Sequence, residues 1–288
     1  VMGQCCATFE RLKRSSTRFV LTSLNTHVDH LRNAVEDEHD RIGFSGPTLV
    51  HSAMQRRARR EIELADQIRV LSKRAARTFV ERGVPEHKLV VTHLPVDANH
   101  FHPVPPRQAP FRALCVSSIE PRKGVHYLLE AWEKVAIPNA ELVLIGGAGD
   151  RWSRRMLDSY LSRLDGVRQV HMDVTRAPVE ESYGAADVLV HPAIEDGYGL
   201  VIPQSLACGR PVIASSAAGA AELVRDGENG FVVPPRSVSD LVDRLRLLAS
   251  DRNLRERMSL AAPQSVSHLT PSNYAREVLG IYDAVGRA

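Results

Sequence analysis

Two short stretches carry the residue types best suited to chemistry. The first, Arg122-Lys123-Gly124, puts two cations on a turn between a strand-like run (residues 111–117) and a helical one (residues 125–135). Two neighbouring cations at such a turn can neutralise the charges of a diphosphate. The second, Glu195-Asp196-Gly197-Tyr198-Gly199, is a glycine-bearing turn with two carboxylates. It follows the apolar run 187–192 and precedes residues 200–208, which favour helix. The first amides of a helix have no intrahelical acceptor and carry partial positive charge. Gly199, Leu200 and Val201 therefore offer a second place for phosphate oxygens. The glycine-rich run 146–150 lacks the Gly-Lys-Ser/Thr of a P-loop and reads as a tight turn.

The elements that must position these stretches follow from pattern. Residues 187–192 and 211–214 read as buried strands, with the helix 200–208 and a capping Gly209 between them. A strand, a helix and a second strand make a right-handed parallel crossover, which aims the helix start at the mouth of a sheet. Further strands are expected over residues 19–24, 65–72, 141–146 and 166–172, and helices over 180–187, 238–258 and 272–285. Residues 25–30 read as a turn. In residues 51–66, Met54, Ala58, Ile62 and Ala65 form a helical stripe, and Arg56, Arg57, Arg59 and Arg60 lie largely off it. Those arginines read as a solvated face, with contact to anionic lipid headgroups as the alternative. Four prolines in residues 102–110 mark a linker, with the domain boundary near Pro105.

The second stretch resembles the signature of the retaining GT-B glycosyltransferases of group 1, family 4. That signature has an acidic residue, Gly-aromatic-Gly-Leu, a second acidic residue eight positions after the first, and Ala-x-Gly-x-Pro-Val. Here Asp196, Tyr198 and Leu200 fall on its first part, and Cys208-Gly209-Arg210-Pro211-Val212 on its tail. Gln204 stands where the second acid is usual, and Glu195 is the alternative first acid. Lys123 matches the family's phosphate-binding lysine. Ser118 stands where an arginine is usual five residues earlier, so Arg122 is the expected substitute. The resemblance implies a mixed α/β fold of GT-B type, two Rossmann-like, doubly wound domains facing a cleft. It also implies that the first domain is incomplete, with ~80–100 residues upstream. Residues 1–104 would form that partial acceptor-side domain and 105–270 the nucleotide-sugar domain. Residues 271–288 would form a helix packing back on the first domain.

The resemblance further implies roles. Lys123 and Arg122 stabilise the departing phosphate, Asp196 holds sugar hydroxyls, and His27, with His30 as second choice, faces the donor from the first domain. Gln204 replaces the charged ribose ligand, and an amide can both donate to and accept from a diol. Glu195, Gly197, Tyr198, Gly199, Leu200 and Val201 complete the donor site, and Met172 and Val174 lie on the loop where the nucleobase packs. The implied reaction moves a sugar from a UDP-, GDP- or ADP-sugar to an acceptor hydroxyl, with retention. It needs no metal and no resident cofactor, in keeping with a sequence without an Asp-x-Asp pair. The acceptor would be a sugar, a polysaccharide or a lipid-linked saccharide. Two other readings are a nucleotide-sugar-binding protein with weak or no catalysis, and a GT-B nucleotide-sugar epimerase.

Composition bounds the choice. The chain has 288 residues, 43% of them hydrophobic, enough for two ordinary domains with cores. A net charge of +3 points to no nucleic-acid partner. Four cysteines, including Cys115 and Cys208 in apolar runs, read as free thiols rather than a disulfide framework. No apolar run approaches the roughly 20 residues of a membrane span. The expected location is cytoplasmic, with peripheral contact at the inner membrane face as an extension.

Overall fold

The computed structural model describes residues 3–46, 49–105, 110–170 and 179–287. Two parallel sheets divide these residues into lobes. The N-terminal lobe runs through α1 (Cys6–Leu12), β1 (Val20–Ser23), α2 (Val28–Ile42), α3 (Ser52–Leu64), β2 (Gln67–Val70), α4 (Lys73–Val80) and β3 (Leu89–Val91). Its strands pair in the order β1-β2-β3. The C-terminal lobe opens with β4 (Arg112–Val116), α5 (Val125–Val135), β5 (Glu141–Ile145), α6 (Arg151–Leu161) and β6 (Val167–Val170). It continues with α7 (Val179–Gly184), β7 (Val188–His191), α8 (Val201–Ala207), β8 (Val212–Ser215), β9 (Gly230–Val233), α9 (Val238–Ser250) and α10 (Arg252–Val266). A last helix, α11 (Pro271–Arg287), returns to the first lobe, where Arg69 donates to the Tyr274 hydroxyl at 2.9 Å.

The six C-lobe strands run β6-β5-β4-β7-β8-β9. Counted from β4, that is the 3-2-1-4-5-6 order of the dinucleotide-binding Rossmann fold. Winding changes direction between β4 and β7, and a crevice opens beyond the carboxyl ends of those two strands. Helices cover both faces, so the central strands are apolar without alternation. Ala113 to Val116, Leu142 to Ile145 and Val188 to Val190 are all buried. Leu128, Leu129 and Leu245, from α5 and α9, fill one face, and Ile202, Leu206 and Ala262, from α8 and α10, fill the other.

Two local expectations are corrected. Residues 25–30 are not a free turn: α2 starts at Val28, and the His27 ring accepts the Asp29 amide as its N-cap. The helix expected over residues 238–258 is two helices. Asp251 leaves helical geometry (φ −105°, ψ 91°), and its carboxylate caps α10 by accepting the Leu254 amide. The arginines of α3 lie on a solvated face, and two of them are also ion-paired there. Arg59 pairs with Asp29, and Arg60 pairs with Glu10 and Glu63.

Two buried charges hold the parts together. Arg210, 2% exposed, donates to the carbonyls of Tyr183, Gly184, Val104 and Pro105, which seats the linker on the C-lobe. Glu38 of α2 is fully buried and reaches across the lobes to His126 (2.9 Å) and Arg236 (2.6 Å). Arg236 makes that contact from a left-handed backbone (φ 67°). Among the described residues, no helix is long and apolar enough to cross a membrane.

Candidate active site

The turn after β4 and the turn after β7 meet at the switch point. The first forms a 3-10 turn, Pro121–Lys123, closed by Gly124. Backbone bonds tie the two turns together: the amides of Ile194 and Glu195 both donate to the Arg122 carbonyl, at 2.8 and 3.4 Å. Gly124 permits this closeness. Its φ is 65°, and a β-carbon there would lie 2.1 Å from the Pro192 carbonyl oxygen. Gly197 plays the matching part toward the N-lobe, since a β-carbon on it would lie 2.4 Å from the Leu24 carbonyl oxygen.

This closeness places Lys123 Nζ 2.5 Å from Asp196 Oδ2. Each side chain of the pair is 14% exposed. His191, the last residue of β7, places Nε2 3.1 Å from the same oxygen, and the Tyr198 amide donates to Asp196 Oδ1 at 3.3 Å. Burial alone would raise the Asp196 pKa. The Lys123 charge and the bonds from His191 and Lys123 outweigh it, and hold the carboxyl far below the usual range. Asp196 is therefore an anion that can only accept hydrogen bonds, and Lys123 is its cation.

Arg122 and Glu195 lie beneath this pair. Glu195 is fully buried and accepts from Arg122 Nη1 at 3.3 Å and from Thr26 Oγ1, across the cleft, at 2.6 Å. Arg122 also donates to Glu120 at 3.0 Å and to the Glu195 carbonyl at 3.1 Å. Burial opposes its charge, but Glu195, Glu120 and Asp196 more than offset this and raise its pKa. Arg122 thus braces the turn while adding charge below it.

Tyr198 turns inward. It is 3% exposed and donates to the Leu94 carbonyl at 3.4 Å. Its backbone, with Gly199 and Leu200, leads into α8, whose first residue is Val201. With seven residues, α8 contributes through its first-turn amides more than through an extended dipole. Gln204 lies one turn further on, and its amide oxygen accepts from Tyr183 Oη at 3.0 Å.

The structure thus brings Lys123, Arg122, Glu195, Asp196, Gly197, Tyr198, Gly199, Leu200 and Val201 to one place, with Gln204 alongside. His27 stands elsewhere. It is 4% exposed, its ring packs edge-on against Phe79 at 5.1 Å, and it lines a cavity of about 470 Å³ with Asp29, Arg59, Arg82 and Lys88. Burial lowers its pKa to about 4, so it is neutral at pH 7. His30, on α2, has its pKa lowered by burial and by the charge of Arg74, with Glu195 opposing. Met172 and Val174 lie outside the described residues.

Sequence reasoning passed over four residues. His191 closes an apolar strand run, and a polar residue at that end was its signal. Ser72, before a helical stretch, had the signal of an N-cap; its hydroxyl also donates to the Gly197 carbonyl at 3.1 Å. Thr26 and Arg74, which donates to the Ala217 carbonyl at 3.1 Å, carried no signal in the sequence.

The family described as glycosyl transferases group 1 matches residues 97–265, which include the linker end and both turns of the site. The chain belongs to that family. This group 1 chain is 32% identical over 157 residues to a D-inositol 3-phosphate glycosyltransferase of Kribbella flavida, covering 51% of this chain and 37% of that protein. It is 30% identical over 169 residues to a phosphatidyl-myo-inositol mannosyltransferase of Mycobacterium leprae, covering 58% and 44%. The match thus spans less than half the length of either relative. Among solved structures it is similar to Anabaena Alr3699/HepE in complex with UDP-glucose. That likeness has a TM-score of 0.77 at 21% identity, over 96% of this chain and 75% of that one, and speaks to the fold. The fold is GT-B: two Rossmann-like lobes facing a cleft.

Proposed function

We propose that the chain transfers a sugar from a nucleoside-diphosphate sugar to an acceptor hydroxyl, with retention and without a metal. The observation that carries the reading is the Lys123–Asp196 pair at the switch point of the larger sheet. An ammonium beside an acceptor-only carboxylate suits a donor whose two halves differ. Lys123 takes the phosphate, where charge grows as the anomeric bond breaks, and Asp196 takes the sugar hydroxyls. The two charges neutralise each other, which offsets the cost of burying them, and a donor would take one partner each.

The chemistry is a substitution at the anomeric carbon. The acceptor oxygen bonds to that carbon, the carbon–oxygen bond to the diphosphate breaks, and the acceptor proton passes to the departing phosphate on the same face. Lys123, the charge of Arg122 and the amides of Leu200 and Val201 lower the cost of the leaving diphosphate. Gln204 presents its NH₂ to the ribose, since Tyr183 already takes its oxygen. The donor is a UDP-, GDP- or ADP-sugar. A neighbour solved with UDP-glucose and relatives named as glycosyl- and mannosyltransferases support that class. The acceptor is a sugar, a polysaccharide or a lipid-linked saccharide. For the lipid-linked case, Arg56 and Arg57 on α3 would meet anionic headgroups. The free thiols Cys115 and Cys208 accord with a cytoplasmic setting.

A second reading rests on one observation: Gln204 lacks the usual charge and shares its amide with Tyr183. It makes the chain a nucleotide-sugar binder with weak catalysis. A thermal-shift screen with UDP, GDP, ADP and their sugars tests both readings, because a ligand of the folded state raises apparent stability. One nucleotide and its sugar should raise Tm, and release of free nucleotide on adding acceptor then separates transfer from binding. If none of the six shifts Tm, the proposal fails.

A further inference from the structure

A second cavity, of about 440 Å³, lies between the lobes, with Arg122 in its lining. From the N-lobe, His39, Phe44 and His51 line it; from the C-lobe, Glu120, Arg122 and Asp150 do. Phe44 is fixed as a wall. Its ring lies 4.1 Å from that of His39 and 5.9 Å, edge-on, from that of Trp152 on the opposite lobe. The cavity therefore has an aromatic surface on one side and hydrogen-bonding groups on the other.

Its charges select among ligands. Among the described residues lining it, the one cation is Arg122, already bonded to Glu120 and Glu195. Asp150 accepts from the Ser153 amide at 2.8 Å and hydroxyl at 2.6 Å. Burial lowers the pKa of His39 and keeps it neutral at pH 7. Glu120 and Asp150 outnumber Arg122 in the lining, so a phosphate or carboxylate would meet two carboxylates and a guanidinium that is already ion-paired. A neutral ring bearing hydroxyls fits both walls, its C–H face on the aromatic groups and its hydroxyls on His39, His51 and the carboxylates.

The place is also informative. Arg122 lines the cavity and bonds to Glu195, the residue before Asp196. A ligand seated against Phe44 thus lies next to the reacting centre rather than on a remote face. We propose that this cavity holds the acceptor, and that the acceptor presents an uncharged sugar ring there. The inference rests on the transferase reading above and narrows its acceptor.

The test is saturation-transfer NMR on the purified chain, with methyl α-mannoside, methyl α-glucoside and methyl α-galactoside, and with mannose 6-phosphate and glucose 6-phosphate as charged counterparts. At least one neutral glycoside should show saturation of its ring protons, and the phosphorylated sugars should bind at least tenfold more weakly. Phe44→Ala should abolish the glycoside signal while the nucleotide found in the thermal-shift screen binds as before. His51→Ala, at an exposed position, should weaken the glycoside severalfold in a chain whose circular dichroism is unchanged. Phosphorylated sugars binding as well as neutral ones would overturn the proposal. So would glycoside binding that survives both substitutions, or nucleotide binding with no neutral sugar bound. The last result leaves the transferase reading intact, whereas absence of nucleotide binding strikes that reading instead.

Discussion

Lys123→Met is the most telling perturbation of this site. Methionine keeps most of the side-chain volume and removes the ammonium, both its charge and its N–H donors. The ammonium lies 2.5 Å from Asp196, at 14% exposure, so its loss leaves Asp196 as a nearly buried anion with His191 as its remaining ring partner. Breaking a buried pair in this way costs about 3 kcal/mol. The sign with pH follows from the depressed carboxyl. Its stabilising contribution is present above the unfolded Asp pKa of about 3.9 and fades as pH falls through the lower folded value. The wild type and Lys123→Met should therefore differ most in Tm near pH 7 and converge in strong acid. For catalysis, a phosphate oxygen about 4 Å from the ammonium, at an effective dielectric of about 20, gains ~4 kcal/mol. At 1.36 kcal/mol per decade, that is a fall of roughly 10³ in kcat/KM. The assay is initial-rate transfer with the donor identified by thermal shift, at a temperature where both proteins are folded by circular dichroism. Lys123→Arg should recover part of the rate, because it restores charge in a different shape. A fall of less than about tenfold for Lys123→Met would refute the electrostatic argument.

Three further outcomes are expected. Glu38→Gln removes the buried carboxylate that His126 and Arg236 share and leaves Arg236 with Asp37, and should cost about 3 kcal/mol in urea unfolding. Burial would raise the Glu38 pKa, but bonds from His126, Arg236 and Tyr127 lower it, so the difference between variant and wild type should be full above the unfolded Glu pKa of about 4.3 and fade as pH falls through the lower folded value. His27→Asn keeps an N-cap and removes a histidine whose folded pKa is about 4. Because the unfolded chain binds that proton first, wild-type stability should drop by about 3 kcal/mol between pH 6.5 and 4, and the variant should lack that slope in Tm against pH. Arg210→Ala strands the carbonyls of Val104, Pro105, Tyr183 and Gly184, and should cost about 3 kcal/mol by thermal unfolding and speed proteolysis at the linker.

Much of the architecture could be read in advance because parallel sheets write themselves in apolar runs. The strands at Ala113, Leu142, Val188 and Val212 are buried on both faces and needed no partner to be recognised. The donor-side turns were legible for a related reason. Their glycines and charges are local necessities of a strand-to-helix turn that faces anions, and they also carry the family resemblance. Helix α2 was not legible, because its cap is a histidine and its buried stripe of Val28, Leu31 and Val35 is broken by Glu38, a carboxylate that only its partners on the other lobe explain.

By itself, then, the sequence determined the apolar strands of the two sheets and the cationic and acidic turns, because each depends on residues close in the chain. Only the tertiary structure decided that Lys123 meets Asp196, that Thr26 and Ser72 grip the acidic turn from the opposite lobe, and that His27 lies outside this cluster. It also decided that Phe44 and Asp150 share a cavity. Those contacts join residues far apart in sequence. Close packing of glycines and buried charges fixes them, and neither spacing nor composition encodes that.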